Sequence, residues 1–209
     1  MNVFVLCTGR SGSSSFIEAC KHIKNYTAAH ESLSDKLGAE RLNFPTHHIE
    51  ADNRLSWQLG QLEKKYGKEA FYVHLKRDKE ATAKSFLNRF LMPKSMIYAY
   101  ANGIKKQPPE AIPKEDRYRI CLDYVETVNS NIEVFLQDKP HQTQINLSQI
   151  ASDFKIFWQN IKAEGNLEKA LQEFTKKHNA NPQKNIDLKY SIKHAILKSK
   201  LFLDQLFRF

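Results

Sequence analysis

Residues 3–16 read VFVLCTGRSGSSSF. An apolar, β-branched run stops at Gly9, and small hydroxyl residues follow around a single arginine. Val3 to Cys7 has the length and continuity of a strand buried on both faces. From Ser13 the apolar positions change period: Phe16, Ile17, Ala19, Cys20 and Ile23 recur at helical spacing. Strand, glycine-containing turn and helix make the opening half of a βαβ unit. At such a junction the first helical N–H groups have no partner in the helix, and the helix dipole adds partial positive charge. An anion placed there is held by backbone amides, and Gly9 and Gly12 let the backbone approach it. Thr8, Ser11, Ser13, Ser14 and Ser15 add hydroxyl groups, and Arg10 adds a permanent charge that can fork onto two oxygens. A glycine-serine turn can also precede a helix with no ligand at all.

A second unit follows the same plan. Residues 70–75 (AFYVHL) form the other strong strand, and Lys76 and Arg77 stand at its carboxyl end. Asp78 is placed to cap a helix carrying Ala81, Ala83, Phe86, Leu87 and Phe90. Ser85 is about two helical turns along, where it can meet Arg77 around a second phosphate. Lys76 and Arg77 solvated beside a capped surface helix is the plainer alternative. Arg89 lies one turn further and is also within reach of a nucleotide.

Neither stretch is a Walker A loop, which needs Gly-Lys-Ser/Thr, and neither is G-x-G-x-x-G. The pair, however, resembles the sulfotransferase superfamily, which uses 3′-phosphoadenosine 5′-phosphosulfate. CTGRSGSSSF is similar to its 5′-phosphosulfate loop in the R-S-G-S/T form of carbohydrate and bacterial members. LKRDKEATAKSF is similar to its 3′-phosphate motif, with Lys79 where many members have proline. The resemblance covers roughly the first 90 residues. It implies that Gly12 to Ser15 cradle the phosphosulfate and that Arg10 stabilises charge as the sulfuryl group leaves. It also implies that Arg77 and Ser85 hold the 3′ phosphate. The implied reaction is in-line displacement onto a hydroxyl or amine of a carbohydrate or small metabolite, with no metal required. Related enzymes place a catalytic glutamate in the region of AAHESL, which makes Glu31 the first candidate for the base. His30 is the alternative, with an ordinary pKa near 6.5. His47, His48, Glu50 and Asp52 are weaker candidates for the acceptor pocket, since a polar surface loop accounts for them equally well. Two adjacent histidines point apart and make a poor zinc site.

The remaining chain sets bounds. With 209 residues and 41% hydrophobic content, it is long enough for a single domain with a real core. The formal net charge of +9 suits an anionic ligand without naming it. Three widely spaced cysteines with no C-x-x-C suit a reducing compartment. No signal peptide and no window of transmembrane length is read, so the expected location is cytoplasmic. The pattern predicts a weaker strand within 25–31, a polar irregular stretch over 32–53, and a helix from about 55 closed by Gly67. It also predicts a long helix from Pro113 and a last strand over 143–147. Helices follow at 150–161, 167–174 and about 190–207. Strands alternating with helices give a three-layer α/β/α fold, a mostly parallel sheet like that of P-loop NTPases with a helical C-terminal part. Two other functions stay open on the residues: a P-loop nucleotide kinase or NTPase, and a non-enzymatic polyanion-binding module. No zinc-finger, RNP-like or helix-turn-helix signature points to nucleic acid.

Overall fold

The computed structural model describes residues 1–176; the helix expected over 190–207 lies outside the described residues. Five strands, β1 (Val3–Leu6), β2 (Thr27–His30), β3 (His48–Ala51), β4 (Phe71–Lys76) and β5 (Gln142–Asn146), form one sheet in the order β2-β3-β1-β4-β5. Every pairing is parallel, with Val3 opposite both Ile49 and Phe71. Seven α-helices are described: α1 (Ser13–Cys20), α2 (Leu59–Lys65), α3 (Lys79–Leu87), α4 (Met96–Ala99), α5 (Lys114–Leu136), α6 (Ile150–Asn160) and α7 (Leu167–Gln172).

The period of two along β1 divides the core. Val3 and Val5 face a cluster with Phe16 and Ile17 of α1, Phe154 and Phe157 of α6, and Ala170 of α7. Phe4 and Leu6 face the other way, onto Leu62 of α2, Phe86 of α3, and Tyr124, Val125 and Val128 of α5. A parallel sheet buried on both faces is the arrangement that such continuous apolar strands require. The expected three-layer α/β/α architecture is the one observed.

Two expectations need correction. Residues 32–53 are not irregular throughout, since His48–Ala51 is a buried internal strand. Its charged Glu50 is made tolerable by Ser32, whose N–H and hydroxyl donate to the carboxylate at 2.8 and 2.6 Å, and by His48 Nε2 at 3.0 Å. The helix expected from 55 is also broken. A 3-10 turn over Asn53–Trp57 precedes α2, and Asp52 caps that turn by accepting from the Arg54 N–H. Asp78 caps α3 as expected, accepting from the Ala81 N–H at 2.8 Å.

His74 gives the fold a pH dependence. It is buried on β4 beside Asn129, and burial pulls its pKa down to about 4. The ordinary histidine value is near 6.5. Between those two values the unfolded chain binds more protons than the folded one, so stability falls as the pH falls. The loss is complete below pH 4 and amounts to roughly 3 kcal/mol. Melting temperatures measured between pH 4 and 7 should show this slope, and His74→Gln should flatten it. An unchanged slope in that variant would assign the effect to other groups.

Candidate functional site

Ligands of open parallel sheets sit at the carboxyl ends of the strands, where the strand order reverses direction. Here β1 is the reversal point: the chain leaves it through α1 toward β2 on one side, while β4 lies on the other. The loop of residues 7–12 stands at this point. Gly9 and Gly12 have φ of +80° and +94°, and their space is taken as well. A Cβ on Gly9 would come within 2.5 Å of Asn53 Nδ2, and one on Gly12 within 2.7 Å of Leu147. Arg10 between them also sits in the left-handed region, at φ +59°. For a side-chain residue that conformation costs about 1–2 kcal/mol, and such positions cluster at functional sites. The loop is held from behind: Tyr124 donates its hydroxyl to the Thr8 carbonyl at 2.7 Å, and Ser56 donates to the Cys7 carbonyl at 3.1 Å.

Helix α1 opens toward the crevice with Gly12 at its N-cap. No side chain caps it, and no acidic residue stands in its first turn. Its N-terminal charge is thus left uncompensated by the helix's own side chains, as an anion site requires. Ser13, Ser14 and Ser15 are partly exposed at this end. Ser11 is buried, and its Oγ has no hydrogen-bond partner. Thr8 differs from expectation: it is buried too, and its hydroxyl donates to the Gly9 carbonyl at 2.8 Å, so it shapes the loop from within.

The second motif comes to the same place. Arg77 Nη1 donates to the Arg10 carbonyl at 3.1 Å, and Arg10 Nε donates to Ser85 Oγ at 3.1 Å. The two regions, which the chain separates by some seventy residues, are in contact across the β1–β4 boundary. Burial first, and then the Arg89 and Arg77 charges, lower the Arg10 guanidinium from its ordinary pKa. The Arg89 and Arg77 charges thus stand close enough to act on the Arg10 guanidinium. Arg89 belongs to this group as firmly as the two arginines of the motifs. The sequence signal for it was slight, a basic residue four positions beyond Ser85, which the structure places in the turn after α3.

The base candidates flank the loop on the other side. His30 Nε2 lies 3.0 Å from Ser13 Oγ, which places the imidazole at the first turn of α1. Glu31 follows at the end of β2 with φ +53°, and its carboxylate pairs with Arg54 Nη1 at 2.8 Å. The structure thus sets His30 at the opening of α1 and ties Glu31 to Arg54.

The weaker acceptor candidates are placed differently. His47 is exposed, at φ +54°, with its ring against Tyr26. His48 is stacked on Phe44, Glu50 is held by Ser32 and His48, and Asp52 is paired with Arg41 at 2.5 Å. These three are buried with partners and do not rim an open pocket. Trp57 packs against Tyr100 and Tyr124. Among the described residues, no group of three or more His, Cys, Asp or Glu is placed to hold a metal ion.

Compared with known proteins by sequence, the chain matches no family model and no curated protein. Compared by structure, it is similar to mouse sulfotransferase SULT7A1 complexed with PAP, with a TM-score of 0.59 and 12% sequence identity. The match covers 88% of this chain and 70% of the mouse chain. The fold is that of a sulfotransferase, and the match extends well past the two N-terminal motifs that carry the sequence resemblance.

Proposed function

We propose that the protein is a sulfotransferase that takes a sulfuryl group from 3′-phosphoadenosine 5′-phosphosulfate. The acceptor in this reading is a hydroxyl or amine of a carbohydrate or small metabolite. The observation that carries the proposal is the convergence of Arg10, Arg77, Arg89 and Ser85 on the uncapped N-terminus of α1. An ordinary nucleoside triphosphate presents one polyphosphate chain. A donor with phosphates at both 3′ and 5′ positions accounts for cationic groups on two strand ends. The residues fit that donor: α1 and Ser11 to Ser15 would take the phosphosulfate, and Arg77, Ser85 and Arg89 the 3′ phosphate. The mouse neighbour's complex with PAP, the bisphosphate that such a transfer leaves behind, supports the same choice.

In the reaction the acceptor oxygen or nitrogen forms a bond to sulfur while the bond from sulfur to the bridging oxygen breaks. The bisphosphate leaves with that electron pair, and Arg10 stabilises the charge that grows on it. Glu31 takes the acceptor proton, with His30 as the alternative. Positioning and charge stabilisation supply the rate, as in phosphoryl transfer. Buried, unpaired Cys7, Cys20 and Cys121 suit a reducing compartment, and we place the protein in the cytoplasm.

Thermal shift with adenosine 3′,5′-bisphosphate tests the donor. At a hundredfold excess over the dissociation constant, stabilisation should be about 2.7 kcal/mol. No shift at millimolar ligand, or tighter binding of magnesium ATP, would overturn the donor assignment in favour of a nucleotide kinase or NTPase. Glu31→Gln tests the base: bisphosphate affinity should be kept while transfer from radiolabelled donor drops by about 10²–10⁴-fold. Full activity in that variant would shift the role to His30.

A further inference from the structure

A cleft of about 700 Å³ lies apart from the donor loop, between the segment following α4 and the N-terminal half of α5. That volume is within the range of small-molecule sites. Two departures from regular backbone build its rim. Residues Tyr100–Ile104 form a π-helical turn, in which the Lys105 N–H donates to the Tyr100 carbonyl at 3.0 Å. Lys106 then takes φ +54°. Wide helical turns of this kind recur at functional sites, and a lysine in the left-handed region is strained. Lys105 and Lys106 line the cleft together with Arg119 of α5 and with the apolar Ile112 and Ile120, which we take as its floor.

The charges in the cleft do not cancel evenly. Lys105 is taken up by Asp123 at 2.5 Å, and the Tyr100 hydroxyl donates to the same carboxylate at 2.6 Å. Asp116 stands in the first turn of α5, where the helix dipole offsets its charge. Lys106 and Arg119 remain, with no ion pair or side-chain hydrogen bond among the described residues. We propose that this cleft, framed by Lys106, Arg119 and the Ile112–Ile120 floor, is a second binding site, for an organic anion with an apolar body. The apolar floor and the volume disfavour a free inorganic ion, which would leave most of the cleft unfilled. Lys106 and Arg119 outnumber Asp116, and neither is ion-paired among the described residues, so they select a carboxylate, sulfonate or sulfate head on such a body. The cleft is separate from the proposed donor site in its residues: none of those lining it belongs to the loop of residues 7–12, to Ser13–Ser15, or to Arg77, Ser85 and Arg89.

The test uses 8-anilinonaphthalene-1-sulfonate, a fluorescent aromatic body with one sulfonate, titrated against the full native chain. Saturable binding is expected that excess adenosine 3′,5′-bisphosphate leaves in place. Lys106→Glu combined with Arg119→Glu should weaken it by about tenfold or more, since two charge-assisted contacts are lost. The bisphosphate thermal shift of that variant should match the native chain. Displacement by the bisphosphate, or a change under about threefold in the double variant, overturns the proposal. If charge reversal unfolds the chain, Lys106→Ala with Arg119→Ala is read by the same criteria. Failure here leaves the donor assignment standing, because that rests on the bisphosphate titration alone.

Discussion

Arg10→Ala should lower sulfuryl transfer by about 10²–10³-fold, the usual loss when a group stabilising transition-state charge is removed, and should not lower the melting temperature of the ligand-free chain. The two halves of that result have one cause. Burial and the Arg77 and Arg89 charges work against the Arg10 guanidinium in the folded state, and its bond to Ser85 offsets part of this. Taking the charge away relieves the repulsion while it removes the group that, in the proposed reaction, meets the leaving phosphate. Arg10→Lys should restore only part of the rate, because an ammonium cannot make the two parallel contacts of a guanidinium. Parallel melting curves and radiolabelled transfer assays check both halves. A large drop in ligand-free stability would mark Arg10 as a structural tie between the two strand ends.

Arg41→Ala should cost about 3–5 kcal/mol of stability, as breaking a buried ion pair from one side does. Arg41 is 3% exposed and pairs at 2.5 Å with Asp52, whose side chain is fully buried. Burial pushes the Asp52 carboxyl up from its ordinary value, and the Arg54 N–H and Arg41 work against that shift. Without Arg41 the carboxylate at the end of β3 keeps only the Arg54 N–H at 2.8 Å and a distant Arg54 guanidinium at 3.9 Å. Replacing both partners by apolar residues, as in Arg41→Met with Asp52→Leu, should cost less than Arg41→Ala alone, since no charge is stranded. Urea denaturation of the three proteins decides this. A single-variant loss under about 1 kcal/mol would mean that water reaches Asp52 in the folded chain.

The strands and helices nearest the donor site were legible because their signals are local. Apolar runs at 3–7 and 70–75, glycines at a strand end, Asp78 before a helix and the spacing from Arg77 to Ser85 all act over a few residues. β3 was hidden because its four residues include a histidine and a glutamate, and the glutamate is satisfied by Ser32 eighteen positions away. The strand order was equally hidden, since nothing in a local pattern says that β1 lies between β3 and β4. Arg89 followed the same logic: it stands in the turn after α3, and its effect on Arg10 depends on how the chain folds back there. Glu31 and His30 were proposed as the base through resemblance; the parallel pairing of β2 with β3 brings His30 to Ser13 at the start of α1, while Glu31 pairs with Arg54.

The position of β1 has a bearing on synthesis. Both of its hydrogen-bonded neighbours come later in the chain, at His48–Ala51 and Phe71–Lys76. β1 therefore stays open on both edges until those segments have been made: Val3, Phe4, Val5 and Leu6 leave the ribosome before either neighbour exists. During that interval four consecutive apolar residues with unsatisfied backbone groups are open to chaperones or to other nascent chains. Growth conditions that slow elongation should therefore lower the yield of folded protein before they affect the finished molecule.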